Sequence, residues 1–362
     1  MRKLLFVWQN LDYGGGEIAL INLLEQLKAH YKITLLCYEN INKLNPPVGI
    51  DIIFASNHST NKLGKIWNKI LFFGKWIIIA RKFDLQIINE VPFMVIMAWF
   101  ISLFTQKIYV LWAHSCRSEM RADCNWLTEQ IYRHSLINAK QIVCVSERAA
   151  NSMCDYVRNK LPNTVIINNI LQFKPLINLP KLPDGFIKIC AVGRLTHEKN
   201  FLLLVEAFAV AKANTNYPLI LYICGDGKEQ NLLINRISDL KLNDSVILTG
   251  HVDNALSYIN QCDIFVSSSN SESWSIVVCE ALYCSKAIIA TNTGAAEILE
   301  NGRYGVVVEI GNKELLSQAL ILLINDNNLR ERYSNNSKYA LNKFDQNIIL
   351  QQWHDLIEYN LA

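Results

Sequence analysis

The sequence has ten cysteines but no Cys-x-x-Cys pair and no His/Cys grouping at metal-ligand spacing. The cysteines sit mostly inside apolar runs (Cys37, Cys144, Cys190, Cys224), as small core residues do, which points to a reducing, cytosolic setting. There is no Asp-x-Asp anywhere in the chain, no GxGxxG and no Walker lysine. No apolar run reaches the ~20 residues needed to span a bilayer; Val91 to Phe104, containing FMVIMAWFISLF, is the nearest. It reads as a buried helix, with shallow insertion into one leaflet as the alternative. The chain starts with only five apolar residues before Gln9, the pattern of a first strand rather than a signal peptide. A net charge of +3 is too small to argue for nucleic acid as a partner.

What is present is apolar residues in quantity, 51% against 19% charged, over 362 residues. That is enough for two cores. Short apolar strands alternate with helical patterns, which implies parallel sheets covered on both faces. The first strand, Leu4 to Trp8, runs into Gly14-Gly15-Gly16 and then a helix from Ile18. Such a turn lets backbone approach a ligand closely, although it also serves as a plain tight turn. Trp112-Ala-His114 ends another strand, where open parallel sheets bind ligands. His114 is therefore a candidate for chemistry, or a structural hydrogen-bonding residue. Three prolines at 175, 180 and 183 mark a linker. A second strand–loop–helix series follows, opening with Gly193-Arg194-Leu and Lys199-Asn200. This places two cations where phosphate oxygens would lie.

The stretch Ser267 to Leu282 carries Glu272 in a serine-rich loop and Glu280 on the helix that follows. Eight residues, about 12 Å at helical rise, separate the two acids. The unsatisfied N–H groups of the helix start lie between them and favour an anion. A ligand with hydroxyl-rich ends and a phosphate centre, such as a nucleotide sugar, fits that spacing. Two carboxylates on a solvated helix would also produce it. Near the first half, Lys62, Lys65, Lys69 and Lys75 share one helical arc, opposite Leu63, Ile66, Trp67 and Ile70. That pattern suits an interfacial helix on an anionic membrane, or an amphipathic helix facing its own domain.

In order along the chain, Gly14–Gly16, Gly193-Arg-Leu through Lys199-Asn200, Gly225-Asp-Gly, Glu272-x7-Glu280 and Thr293-Gly294 with Glu297 resemble the retaining glycosyltransferases of GT-B fold, group-1 or family-four type. The resemblance implies an α/β chain of two doubly wound Rossmann-like domains with an inter-domain cleft. Expected boundaries are 1–174 for the acceptor-side domain, 175–184 for the linker, 185–345 for the nucleotide-sugar domain, and 346–362 for a helix packing back on the first. By resemblance, Arg194 and Lys199 bind the donor diphosphate and stabilise it as it leaves. Glu280 binds ribose, Glu272 holds sugar hydroxyls, Gly15 and Gly16 admit phosphates or acceptor, and His114 lies near the anomeric carbon. Ser273-Trp274-Ser275 stands where the family has Gly-Phe-Gly, so Trp274 and Ser275 join the expected donor-binding set with an altered pocket shape. With no Asp-x-Asp, neither metal nor other cofactor is expected, and activity should survive a chelator. The implied reaction moves a hexose or N-acetylhexosamine from a UDP-sugar to a polyprenyl-diphosphate-linked or other glycan in bacterial surface-polysaccharide synthesis. The implied location is peripheral, on the cytoplasmic membrane face, with Lys62, Lys65, Trp67 and Lys69 in contact. The alternatives are a nucleotide-sugar epimerase of the same fold and a non-catalytic scaffold subunit.

Overall fold

The computed structural model of the protein describes residues 1–362 apart from Tyr13, 57–60, 120–124, 159–160, Pro162 and Pro180, and gives the backbone alone for Lys62. The chain forms two compact units, Met1–Leu171 with Phe344–Ala362, and Gln172–Lys343.

In unit 1 the strands are β1 (Lys3–Trp8), β2 (Lys32–Glu39), β3 (Asp51–Ser56), β4 (Leu85–Asn89), β5 (Tyr109–Ala113), β6 (Gln141–Cys144) and β7 (Thr164–Ile166). Among the described residues, the helices that alternate with them are α1 (Gly15–Leu27), α2 (Lys62–Ala80), α3 (Pro92–Thr105), α4 (Trp126–Ile137) and α5 (Glu147–Val157). The sheet is parallel throughout, in the order β3-β2-β1-β4-β5-β6-β7. Leu4 to Trp8 and Tyr109 to Ala113 are buried without a break, because helices cover both faces and leave no polar alternation. Asn61, Asn125 and Ser146 each accept an N–H from the first turn of α2, α4 and α5, which fixes those helix starts.

Helix α2 does not turn its apolar arc into its own unit. Phe72, Trp76 and Ala80 anchor its second half, and the Trp76 indole donates to Gln86 Oε1 at 2.7 Å. In the first half, Leu63 (75% exposed), Ile66, Trp67 (62% exposed) and Ile70 face outward. The side chain of Lys62, expected to share that face, lies outside the described residues. Helix α3 buries Met94, Val95, Ala98 and Ile101 and exposes Leu103 and Phe104 at its end.

Unit 2 contains β8 (Ile187–Val192), α6 (Phe201–Ala213), β9 (Leu219–Cys224), α7 (Gln230–Asp239), β10 (Val246–Gly250), α8 (Ala255–Asn260), β11 (Ile264–Ser267), α9 (Ile276–Tyr283), β12 (Ala287–Thr291), α10 (Gly294–Ile298), β13 (Val306–Val308), α11 (Lys313–Asn325) and α12 (Asn327–Leu341). Its six parallel strands run β10-β9-β8-β11-β12-β13. One core joins Ile189, Leu221, Ile264 and Ile289 of the sheet to Leu204, Phe208, Leu316 and Leu320 of α6 and α11. The proline-marked stretch expected as a linker belongs to this unit. Its Ile177 N–H donates to Ser257 Oγ, its Leu182 N–H to Gln261 Oε1, and its Pro175 carbonyl accepts from Asn254 Nδ2. Prolines remove donors but leave carbonyls, so such a segment can still be strapped to a helix end.

The chain then returns to unit 1 with α13 (Gln346–Leu361). Ile349, Trp353, Leu356 and Ile357 form its buried stripe, and Trp353 packs edge-on to Trp112, ring centroids 4.9 Å apart. Asn360 Nδ2 donates to Gln141 Oε1 at 2.7 Å.

Candidate functional site

In unit 2 the strand order reverses between β8 and β11, which pair directly. At such a reversal the loops leaving the two strands diverge and open a crevice at their carboxyl ends. The loop after β8 carries Arg194 and Lys199, and the loop after β11 carries Glu272. The sequence around them is specialised for close backbone contact. A Cβ on Gly225 would lie 1.9 Å from the Gly193 carbonyl oxygen, so the Gly225-Asp-Gly turn can back the Gly193 loop only as glycine. Gly193 N–H donates to the Cys224 carbonyl at 3.0 Å and Leu195 N–H to that of Asp226 at 2.9 Å. Gly294 obeys the same rule. A Cβ there would come within 2.1 Å of the Ser273 carbonyl oxygen, and its N–H donates to the Glu272 carbonyl at 2.7 Å.

Asn270 joins the two loops. Its N–H donates to the Glu198 carbonyl (2.8 Å), its Nδ2 to the His197 carbonyl (2.9 Å), and its Oδ1 accepts from Asn200 Nδ2 (2.8 Å). Ser268 Oγ donates to the Lys199 carbonyl at 2.9 Å. Held this way, Lys199 Nζ meets Glu272 Oε1 at 2.6 Å, and Ser269 Oγ donates to Glu272 Oε2 at 3.1 Å. Two residues expected at different parts of a donor are therefore an ion pair. Arg194 stands exposed on the same loop.

The α9 N-terminus has no side-chain cap. Ser275 Oγ is buried with no hydrogen-bond partner among the described residues. The uncapped turn leaves N–H groups for an anion. Trp274 is 6% exposed and Ser275 fully buried. Their side chains thus build the loop that leads into α9. Burial pushes the Glu280 carboxyl up to about 7, against a smaller opposing pull from Lys174. Beside it on α9, Tyr283 stacks on Phe173, with ring centroids 4.1 Å apart.

In unit 1 the reversal falls between β1 and β4. His114 leaves β5, and its ring packs on Trp112 (4.4 Å) and Trp8 (5.6 Å). Burial pushes its pKa down to about 3, so the ring is neutral at physiological pH. A Cβ on Gly16 would lie 3.6 Å from His114 Cγ, which brings the glycine turn and the histidine together; Gly15 is exposed. Sequence reasoning missed two acids here. Glu17 accepts from Trp8 Nε1 at 3.4 Å and folds back over Gly14, where a Cβ would meet its Oε2 at 2.2 Å. Glu90 directly follows β4, a strand-end position that could have flagged it. On α2, Lys65, Trp67 and Lys69 are all exposed.

Residues 176–339 match the sequence model of the family described as Glycosyl transferases group 1. The N-acetylgalactosamine-N,N'-diacetylbacillosaminyl-diphospho-undecaprenol 4-alpha-N-acetylgalactosaminyltransferase of Campylobacter jejuni is 28% identical, over 96% of each chain. The GalNAc-alpha-(1->4)-GalNAc-alpha-(1->3)-diNAcBac-PP-undecaprenol alpha-1,4-N-acetyl-D-galactosaminyltransferase of the same organism is 22% identical, over 99% of this chain and 98% of its own. Among solved structures, Anabaena HepE in complex with UDP-glucose superposes with a TM-score of 0.80 at 18% identity, over 99% of this chain and all of its own.

Proposed function

We propose that this chain, a GT-B-fold glycosyltransferase of group 1, moves a hexose or N-acetylhexosamine from a UDP-sugar to a lipid-linked glycan, with retention at the anomeric carbon. The observation that carries the reading is the Lys199–Glu272 pair at the strand-order reversal of unit 2, inside the matched segment. A departing diphosphate needs positive charge fixed in place before the reaction. Lys199, Arg194 and the uncapped α9 turn supply it. As the diphosphate binds, Lys199 turns to it, and Glu272 is released to accept sugar hydroxyls. Glu280 accepts ribose hydroxyls, and His114 serves the reacting sugar as a neutral ring. Gly15 and Gly16 admit the glycan end of the acceptor against the backbone, since the Glu17 carboxylate folded over the adjoining Gly14 repels phosphate.

No metal or other cofactor is part of this reading, since the cationic groups do the work a metal would do and the chain has no Asp-x-Asp. The polyprenyl-diphosphate-linked acceptor follows the two Campylobacter relatives, and bacterial surface-glycan synthesis is the setting. No helix among the described residues is long and apolar enough to cross a membrane. The exposed Leu63, Ile66, Trp67 and Ile70 with Lys65 and Lys69 support peripheral binding to an anionic cytoplasmic membrane face. The test is UDP release from a panel of UDP-sugars with undecaprenyl-diphosphate-linked acceptors, in EDTA, with the anomeric configuration of the product read by NMR. Donor turnover independent of acceptor, an inverted product, or activity restored only by Mn²⁺ would each overturn the corresponding part.

A further inference from the structure

Glu90 has no part in the reaction as described, yet it is a buried carboxylate at the carboxyl end of β4, beside the strand that delivers His114. Its Oε1 accepts the His114 N–H at 2.8 Å. Its carbonyl accepts the Tyr132 hydroxyl of α4 at 3.0 Å. Arg117, 7% exposed, lies over the rings of Tyr132 and Tyr156, 5.1 Å from each. We propose that Glu90 is a positioning residue for His114, its carboxylate clamping the turn that leaves β5 and so fixing the imidazole against the glycine turn.

Burial raises the Glu90 carboxyl to about 7, in spite of hydrogen bonds from Ser115 and His114 and the charge of Arg117. The other groups facing it are the Cys116 and Cys144 thiols, both pushed up by burial, with Glu119 and Arg148 beyond Cys116. Burial moves the two thiols away from neutrality and brings the Glu90 carboxyl toward it. The ionised form is the stronger acceptor, so the clamp tightens as pH rises through 7. Its sign in stability is opposite. A carboxyl raised from 4.5 favours folding fully below 4.5, and that contribution is lost as pH rises through 7.

The proposal rests on His114 serving the reacting sugar, and the experiment separates the two claims. In protein carrying ¹³C-histidine, the His114 ring signal, assigned with His114→Gln, is followed with pH. A shift step near pH 7 in the wild type that is absent in Glu90→Gln supports the clamp. A step that persists in Glu90→Gln overturns it, as does its absence from the wild type, which decides the matter even if the variant does not fold. UDP release with the lipid-linked acceptor is the second readout. Glu90→Ala should lower turnover on the order of tenfold to a hundredfold, with the KM for UDP-sugar unchanged, and Glu90→Gln should lose the inflection near pH 7. A lost NMR step with an unaltered rate profile upholds the clamp and overturns the role of His114.

Discussion

The two units share a parallel, doubly wound sheet but differ in what their strand ends hold. Unit 2 gathers charge: Lys199, Glu272 and the exposed Arg194 on loops cross-tied through Asn270 and Ser268, with Glu280 on the helix that follows. Unit 1 gathers aromatic rings and a desolvated histidine, and its helix α2 presents bare aliphatic side chains on the outside. One scaffold thus supports two chemistries, and the loops rather than the sheet decide which. Electrostatic preorganisation suits a diphosphate leaving group. An apolar surface edged with lysine suits a greasy, anionic acceptor.

The contrast breaks first if Lys199→Ala leaves turnover near wild type. Loss of a preorganised cation at developing negative charge is expected to cost roughly 10²–10³-fold in kcat, read by UDP release. Gly225→Ala comes next. Its Cβ would be driven into the Gly193 carbonyl, so unit 2 should lose about 1–3 kcal/mol or more, seen as a lower melting transition for that unit. Unit 1 should hold its Tm, and a uniform drop would dissolve the distinction. Lys65→Gln with Lys69→Gln should remove about 2 kcal/mol of attraction to anionic vesicles, roughly 30-fold in partitioning, and leave neutral vesicles unaffected. The smallest effect is the proton linked to Glu280. Ribose hydroxyls donating to the carboxylate favour its ionised form, so UDP binding should release protons near pH 7 and weaken by at most about tenfold per unit below it. Calorimetry in buffers of different ionisation enthalpy measures that release, and a buffer-independent heat would count against it.

Much of unit 2 was legible in the sequence because its motifs are backbone requirements. Gly225 and Gly294 tolerate no Cβ, and such positions announce themselves as Gly-Asp-Gly and Thr-Gly before any tertiary structure is known. The strands were readable for a similar reason, since unbroken apolar runs have few other uses. The Lys199–Glu272 pairing was not readable. Both residues stand out singly, but their contact depends on loops 73 residues apart meeting at a strand-order reversal. Glu90 escaped notice because a lone acid after a strand looks like any surface carboxylate until the fold buries it. Helix α2 left two orientations open, because periodicity records a face and not what the face touches.

Helix α13 carries a consequence for biogenesis. Its residues are translated after every residue of unit 2, yet Trp353 is the ring that backs Trp112, which in turn backs His114. On the ribosome unit 2 can therefore mature first. The histidine wall gains its support only when the closing helix emerges, so a nascent chain would acquire its charged grip before its aromatic one.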